Sequence, residues 1–389
     1  MTAATPSAFP RELLTAPAQG RLAYFTALTI GHPLLLQAYE DLIAAIRDAA
    51  PGSLILLSGP SGVGKTTLLG RVAQRLHALR RPEMDADPAH VPVVRVEAIA
   101  PEAGSFNWKD YFRRLLLALD EPLVDHKLDP HLWEAPASAQ RQVVTDVRAA
   151  SARLRAASEQ ALVHRRPCAV LLDEAQHLAI VGSGRKLLDQ LNTIKSVATT
   201  TRTTHVLSGT DELLVFRNLS GQLCRRSLDI HFPRYRAEWP EHQHAFCNVL
   251  WTFQHHLPLE DTPDLVQHWD YFYERSIGCV GVLKDWLSRA LARVLDEGGT
   301  QLTRRQLDRH ALLIAQCQKM LAEVLEGERM VGETEDARRV LRGQLGLDQG
   351  AHAPRSRHGT TDDHARTTRG SPRPVGTRRP VRDTVGGQD

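Results

Sequence analysis

A short stretch of the sequence combines glycines, a lysine and hydroxyl side chains in the spacing of a phosphate-binding loop. The pattern G-x-x-x-x-G-K-[ST] is matched at every position, and the candidate nucleotide-binding residues are Gly59, Pro60, Ser61, Gly62, Val63, Gly64, Lys65, Thr66 and Thr67. Glycines let the main chain curl until its N–H groups face phosphate oxygens, and the dipole of a following helix favours the same negative charge. Lys65 is suited to reach the terminal phosphates of ATP, and the Thr66 hydroxyl is suited to bind Mg²⁺. The stretch therefore predicts a site for ATP and Mg²⁺.

Two adjacent carboxylates, Asp173 and Glu174, follow an apolar run at residues 169–172. Acids at the carboxyl end of a parallel strand point into the crevice where such sheets bind ligands. Asp173 is suited to orient Mg²⁺, and Glu174 is suited to polarise the water that attacks the γ-phosphate, giving ADP and phosphate. The alternative is that both acids cap the start of a helix. The phosphate-binding pattern favours the metal and base roles.

Three other places carry candidate groups for the same reaction. Thr210 ends a strand-like run and could hydrogen-bond the attacking water or the γ-phosphate, or it could close a simple turn. Arg225 and Arg226 precede the last apolar run, and either could enter the site of a neighbouring subunit, or both could be a solvated basic pair. Lys284 opens a helix and could reach back to the γ-phosphate, or its amine could remain in solvent.

The elements that must position these residues are visible in the hydrophobic periodicity. Short apolar runs typical of buried strands alternate with helical patterns, and the runs are residues 54–57, 93–96, 169–172, 205–207 and 228–232. Such alternation favours a parallel sheet with helices on both faces. The sequence therefore predicts an α/β fold with a five-stranded parallel sheet.

After Pro240 the strand-like runs stop and amphipathic helical patterns follow, at residues 246–257, 263–276, 281–295 and 303–325. Thr303 and Gln306 match the sequence pattern of a capping box, which predicts that a helix begins there. These patterns predict a second, helical domain.

The two ends of the chain have a different composition. From residue 348 onward there is no Leu, Ile, Met, Phe, Trp or Tyr, and from residue 350 onward eight arginines stand against four aspartates. Such a segment cannot form a core. We predict a flexible N-terminal arm at residues 1–22, a nucleotide-binding α/β domain at 23–238, a helical lid domain at 239–330, and a linker with a disordered Arg-rich tail at 331–389.

Composition argues against several other classes of protein. The five cysteines are scattered and form no C-x-x-C pair, so neither a disulfide framework nor a zinc site is expected. The first residues lack the pattern of a secretory signal, and no apolar run is long enough to span a membrane. The net charge of +3 is too mild to imply nucleic acid by itself, so any basic surface must be local. We expect a cytoplasmic protein.

The order of these motifs resembles that of an AAA+ ATPase with a C-terminal helical lid. The matching motifs are the phosphate loop, Asp173-Glu-Ala-Gln176, Ser208-Gly-Thr210, Arg225-Arg226 and the Gly-x-x-Gly-x-x-Lys that ends at Lys284. Within that superfamily the chain is similar to the TniB/TnsC-type ATPases of bacterial transposons, which are related to MuB. The resemblance extends over residues 20–325. It rests on three sequence segments, Ile30-Gly-His-Pro33, Gly104-Ser-Phe-Asn-Trp-Lys-Asp-Tyr111 and Ser208-Gly-Thr-Asp-Glu212.

The resemblance implies a bacterial regulator of DNA transposition. Its ATP-bound subunits would assemble into rings or helical filaments on double-stranded DNA, recruit a transposase of the TniA/TnsB kind, and release target DNA on hydrolysis. A TniQ-like target selector is a further candidate partner. Two alternatives stay open: another DNA-associated AAA+ ATPase of the clamp-loader or initiator kind, and a nucleotide-dependent scaffold or signalling switch.

Assembly on DNA requires repeated basic residues that contact the phosphate backbone. The candidates flank two predicted helices and are Lys109, Arg113, Arg114, Arg185, Lys186 and Lys195. The alternative for each is a solvated helix face. The aromatic residues beside the first group, Phe106, Trp108, Tyr111 and Phe112, have helical spacing and are expected in the core or at an interface.

Overall fold

The computed structural model describes residues 9–101, 106–125, 147–179, 184–218, 227–332 and 334–347. The chain divides into two compact units, residues 1–332 and 333–389.

The first unit is built on a five-stranded parallel sheet with the order β2-β3-β4-β1-β5. The strands are β1 Leu54–Ser58, β2 Val93–Glu97, β3 Ala169–Asp173, β4 Thr204–Gly209 and β5 Ser227–His231. This confirms the predicted α/β fold and the position of each strand. The three central strands are buried throughout, which explains why their sequences are continuous apolar runs. The edge strand β5 leaves Leu228 half exposed, and its sequence pattern was the weakest.

Helices cover both faces of this sheet. They are α1 Ala18–Ala27, α2 Pro33–Asp48, α3 Lys65–Leu79, α4 Arg81–Ala86, α5 Trp108–Ala118, α6 Val147–Arg165, α7 Gly184–Thr201 and α8 Leu214–Asn218. One core cluster joins α5, α6 and α7 to the sheet, and another joins α2 and α3 to the opposite face. The start of α2 is set locally, because the His32 side chain accepts a hydrogen bond from the Leu35 N–H and Pro33 occupies the first turn.

The chain after residue 239 is helical, with α9 Pro240–His256, α10 Trp269–Ser276, α11 Val280–Asp296, α12 Arg304–His310 and α13 Ile314–Val331. The capping box at Thr303 is confirmed. The single helix predicted at 303–325 is wrong, because the backbone is extended at Ala311 and Leu313 and divides it into α12 and α13. The break lets Cys317 and Val324 pack in the core beside the phosphate loop, whereas Leu307 packs among the other helices of this region.

Helix α1 lies across the predicted boundary between the arm and the α/β domain at residue 22. Phe25 is buried among residues of α9 and α11, and Phe9 is also buried. The Tyr24 hydroxyl lies 2.7 Å from His256 Nδ1. The described part of the N-terminal segment is therefore packed on the helical region, while the domain limits themselves remain predictions.

The second unit contains α14 Glu335–Gln344, which begins where the Thr334 side chain accepts a hydrogen bond from Ala337 N–H. The predicted Arg-rich tail from residue 348 lies outside the described residues. Within the described ranges no helix is both long and apolar enough to cross a membrane.

Candidate nucleotide site

The predicted phosphate loop lies between the end of β1 and the start of α3. Gly62 and Gly64 have φ angles of +80° and +112°, a region that residues with a Cβ rarely adopt. Thr66 and Thr67 follow in the first turn of α3 with exposed side chains. The loop therefore has the backbone of a phosphate cradle, and its hydroxyl groups are accessible to a metal ion.

The Lys65 side chain is only 8% exposed and is surrounded by acids. Its amine donates hydrogen bonds to the carbonyl oxygens of residues 59 and 60, each at 2.8 Å. Burial lowers the pKa of Lys65, and the negative charges of Asp211, Glu174 and Asp173 oppose that shift. The amine of Lys65 therefore interacts electrostatically with the acid pair at the end of β3, and this interaction links the phosphate loop to that pair.

The acid pair lies at the carboxyl end of β3, which Asp173 ends and Glu174 follows. Asp173 Oδ1 accepts hydrogen bonds from the Glu174 N–H at 3.1 Å and the Ser208 hydroxyl at 3.2 Å. Glu174 precedes a short 3₁₀ helix with a φ of +53°, and its side chain makes no capping hydrogen bond to the described main chain. Its carboxylate instead accepts a hydrogen bond from Gln176 Nε2 at 2.5 Å. The Glu174 side chain therefore does not cap the following 3₁₀ helix, and the metal and base roles of the two acids remain predictions.

Thr210 lies at the end of β4 and carries an unsatisfied hydroxyl. Its Oγ1 is buried and has no hydrogen-bond partner among the residues that the structure describes, and it caps neither the following 3₁₀ turn nor another element there. A buried hydroxyl without a partner is costly, so its pairing with a ligand is the natural resolution. The glycine cradle, this hydroxyl, and the oxygen donors of Thr66 and Asp173 together fit ATP and Mg²⁺.

Asp211 is a site residue that sequence reasoning missed. It is 8% exposed and lies within the field of Lys65, and its Oδ1 is 3.5 Å from His231 Nδ1. Burial raises the pKa of Asp211 and lowers the pKa of His231. In the sequence, Asp211 was noted only as part of the segment 208–212, and that segment does not indicate that the side chain is buried. Asp211 therefore belongs to the acidic surroundings of the phosphate loop.

Helix α13 closes one side of the site, which the sequence also did not reveal. A cavity of 330 Å³ separates it from the loop and is lined by Pro60, Ser61, Thr210, Asp211 and residues of α13. Gly327 of α13 touches the Asp211 side chain so closely that a Cβ on it would lie 2.5 Å from Asp211 Cβ.

Two polar contacts hold α13 in this position. The buried Arg234 forms an ion pair with the partly buried Glu328 at 3.0 Å, and Arg234 also donates to the Tyr273 hydroxyl at 3.0 Å. The Arg217 guanidinium donates to the carbonyl oxygen of Met330 at 2.5 Å. The far end of a helix predicted as part of the lid is thus anchored beside the phosphate loop.

Helix α11 contacts the phosphate loop through its main chain. The Gly62 carbonyl oxygen accepts hydrogen bonds from the N–H groups of Gly281 at 2.7 Å and Val282 at 3.3 Å. A cavity of 50 Å³ lies alongside, lined by Ile30, His32, Val63, Gly64, Thr67 and Lys284 among others.

Lys284 borders this cavity, and its amine is bonded elsewhere than at the phosphate loop. The amine donates to the carbonyl oxygens of Thr26 at 2.7 Å and Leu28 at 2.6 Å. Its predicted contact with the γ-phosphate would require the amine to leave these two oxygens, and it remains a prediction. Arg225 and Arg226 lie outside the described residues.

The predicted DNA-binding residues differ in their surroundings. Arg113 pairs with Asp125 at 2.8 Å and Arg114 pairs with Asp110 at 2.6 Å, both at the surface. Lys109 and Lys195 form no ion pair within the described ranges. The side chains of residues 185 and 186 lie outside the described part, so Arg185 and Lys186 are not placed.

The aromatic residues of the same segment belong to the core, as expected. Phe106, Tyr111 and Phe112 are buried, and Trp108 packs against them. The Trp108 indole N–H donates to Gln190 Oε1 at 2.6 Å, which ties the start of α5 to α7. The two basic groups predicted from separate parts of the sequence are therefore carried by helices that touch.

Comparison with known proteins agrees with this architecture. Residues 49–215 match the family model described as AAA domain. The parallel sheet, with the phosphate loop between β1 and α3 and the helices that follow, has the AAA+ P-loop fold. No curated protein matches the chain at a significant level.

Solved structures that resemble the chain are distant in sequence. The ORC2 protein of Aeropyrum pernix, in ADPNP-ADP complexes, is 15% identical with a TM-score of 0.46, over 72% of this chain and 66% of that one. The ORC1 protein of the same organism in complex with DNA is 18% identical with a TM-score of 0.48, over 85% and 77%. A Walker-type ATPase of Pyrococcus abyssi is 14% identical with a TM-score of 0.41, over 82% and 85%. The chain thus spans just under two thirds of the first of these proteins.

Proposed function

We propose that the chain is an ATPase of DNA transposition, which assembles on double-stranded target DNA with ATP bound, recruits a transposase and is released by hydrolysis. The ATPase part is supported by one observation: Lys65, Asp173, Glu174 and the Thr210 hydroxyl, which has no partner among the described residues, belong to one site. The transposition part is supported by the resemblance to TniB/TnsC-type ATPases. A TniA/TnsB-like transposase and a TniQ-like selector are the proposed partners, in the cytoplasm of a bacterium.

The chemistry divides among the residues as follows. The N–H groups of the phosphate loop and the amine of Lys65 bind the phosphates of ATP. Thr66 and Asp173 would hold Mg²⁺, which when bound neutralises charge on the phosphate oxygens. The Glu174 carboxylate accepts the proton of the attacking water, and the Thr210 hydroxyl donates a hydrogen bond to that water or to the γ-phosphate.

Completion of the site requires positive charge from a second subunit. In the described part of the chain, Arg234 is neutralised by Glu328 and Lys284 is bonded to carbonyl oxygens. We assign the missing charge to Arg225 or Arg226 of a neighbouring copy, acting as an arginine finger. Hydrolysis then depends on assembly, which makes ATP a switch for the oligomer.

The 50 Å³ cavity is the proposed place of the nucleotide base. It lies beside Gly64 and Thr67 and is bordered by apolar side chains and His32. Burial lowers the pKa of His32 to about 4, so this imidazole is neutral at physiological pH. The cavity is smaller than a purine, and base binding therefore requires the segment at 28–30 to move away from α11.

Assembly is tested by imaging the full chain with duplex DNA and a non-hydrolysable ATP analogue, with ADP as the control. We expect rings or helical filaments on DNA only with the analogue. Monomers under both conditions would refute the proposal of assembly. Assembly on DNA without capture of a transposase of the TniA/TnsB kind would instead favour the initiator-like alternative.

We expect the double variant Lys109→Ala/Lys195→Ala to bind DNA more weakly while retaining ATP affinity. Log affinity falls with log salt concentration, and each lost phosphate contact makes this slope less negative by about 0.9. The double variant should therefore make it less negative by about 2 per subunit. The measurement is a fluorescence-anisotropy titration of duplex DNA at several salt concentrations. The exposed Lys319, paired with Glu323 in α13, provides the matched control Lys319→Ala. Equal salt slopes in all three proteins would remove these two lysines from the DNA contact.

A further inference from the structure

The Gln176 side chain joins two groups of the nucleotide site that directly follow different strands, Glu174 after β3 and Thr210 after β4. Its Nε2 donates to Glu174 Oε2 at 2.5 Å, and its Oε1 accepts a hydrogen bond from the Thr210 N–H at 3.3 Å. The orientation of the amide follows from its partners, because a carboxylate only accepts and an N–H only donates. One planar amide therefore spans the distance between the end of β3 and the end of β4.

The surroundings of Gln176 leave this amide little freedom. The residue is 8% exposed. A Cβ on Gly209 would lie 2.3 Å from Gln176 Oε1 and 3.0 Å from its main-chain nitrogen, so β4 touches the side chain directly. Residues 209–210, the Gln176 amide and the Glu174 carboxylate therefore form one continuous series of contacts.

A buried glutamine can serve packing alone, but the partners of this one argue for more. The amide nitrogen binds the carboxylate of Glu174, the proposed base. The amide oxygen binds the main chain of Thr210, whose hydroxyl has no partner among the described residues. The same side chain thus contacts the proposed base and the segment that would respond to the γ-phosphate.

We propose that Gln176 is a positioning residue that orients the Glu174 carboxylate according to where the Thr210 segment lies. When Thr210 engages the γ-phosphate, Gln176 transmits that displacement and turns the carboxylate toward the attacking water. In the absence of a γ-phosphate, Gln176 holds Glu174 in the orientation seen here. This inference rests on the proposed hydrolysis of ATP at the site.

The test compares Gln176→Met, which has similar volume but no amide, with Gln176→His, which retains an N–H donor. We expect Gln176→Met to lower kcat for DNA-stimulated ATP hydrolysis about 10- to 100-fold, because small misplacements of a catalytic group cost about that much. The KM and the affinity for ATP should change less than about 3-fold, since the amide does not touch the phosphate loop. Gln176→His should recover most of the lost rate.

A double-mutant cycle with Glu174→Gln separates positioning from a general structural role. If Gln176 acts through Glu174, Gln176→Met should cause no further loss in single-turnover rate in the Glu174→Gln background. An equal loss in both backgrounds, or unchanged kcat in Gln176→Met, would overturn the inference. A wild-type protein that binds ATP but never hydrolyses it would overturn the proposed function instead, so the two failures are distinguishable.

Discussion

Replacement of Glu174 by glutamine is expected to lower the rate of ATP hydrolysis about 10²- to 10⁴-fold, the usual contribution of a general base. The amide cannot accept the proton of the attacking water, and in the described part of the chain the two neighbouring carboxylates, Asp173 and Asp211, are engaged elsewhere. Asp173 is engaged with the Glu174 N–H and Ser208, and Asp211 is packed against Gly327. ATP affinity should be retained, because Lys65 and the loop N–H groups are unchanged.

The measurement is phosphate release with DNA present, together with ATP affinity from a fluorescent analogue. Glu212 is the matched control, since it is an exposed carboxylate on the same side of the site and borders the 330 Å³ cavity. Glu212→Gln should hydrolyse ATP at nearly the wild-type rate. A Glu174→Gln protein with normal turnover would show that another group accepts the proton.

Substitution of Gly327 by alanine is expected to destabilise the first unit by about 1–3 kcal/mol, the range found for overpacked cores. Helix propensity alone predicts the opposite sign, because alanine favours a helix interior by about 1 kcal/mol over glycine. The contact decides between the two effects. A Cβ at this position would lie 2.2 Å from Asp211 Oδ2 and 2.5 Å from Asp211 Cβ, so α13 or the backbone at Asp211 must move.

The free energy of unfolding in urea measures this effect. Gly20 in α1 is the matched control, because it is exposed and a Cβ there would meet only Ala16 Cβ at an ordinary 3.8 Å. Gly20→Ala should be neutral or stabilising by up to about 1 kcal/mol. If Gly327→Ala were as stable as Gly20→Ala, α13 would not be seated on Asp211 as described.

The parts of the fold that were predictable are those with local causes. The strands were predictable because buried parallel strands consist of consecutive apolar residues. The start of α12 was predictable because the side chains of Thr303 and Gln306 each form a hydrogen bond with the other's backbone. The phosphate loop was found because its backbone conformation requires glycines at fixed spacing. Each of these signals is contained within a few residues.

The parts that were missed depend on partners that are distant along the chain. The break before α13 has only a weak local signal, because Gln316 accepts a hydrogen bond from the Leu313 N–H, and the contact of Gly327 with Asp211 lies in a distant part of the chain. The role of Gln176 was not recognised in the sequence, since its second partner, Thr210, follows a different strand. Likewise, the partner of Arg113 is Asp125, outside α5, whereas Arg114 pairs with Asp110 one helical turn away, a spacing that the sequence does contain.

The hydrogen bonds from α11 to the Gly62 carbonyl oxygen also restrict how this protein can change in evolution. Because both bonds join main-chain groups, no change of side-chain chemistry can remove them, and only added bulk can. A Cβ on Gly62 would lie 2.5 Å from Val282 Cγ2, and one on Gly281 would lie 2.4 Å from the Gly62 oxygen. The general phosphate-loop pattern leaves position 62 free, yet here it is tied to position 281. Homologues that keep this junction should retain both glycines together, and those that lose one should have a different arrangement of the two segments.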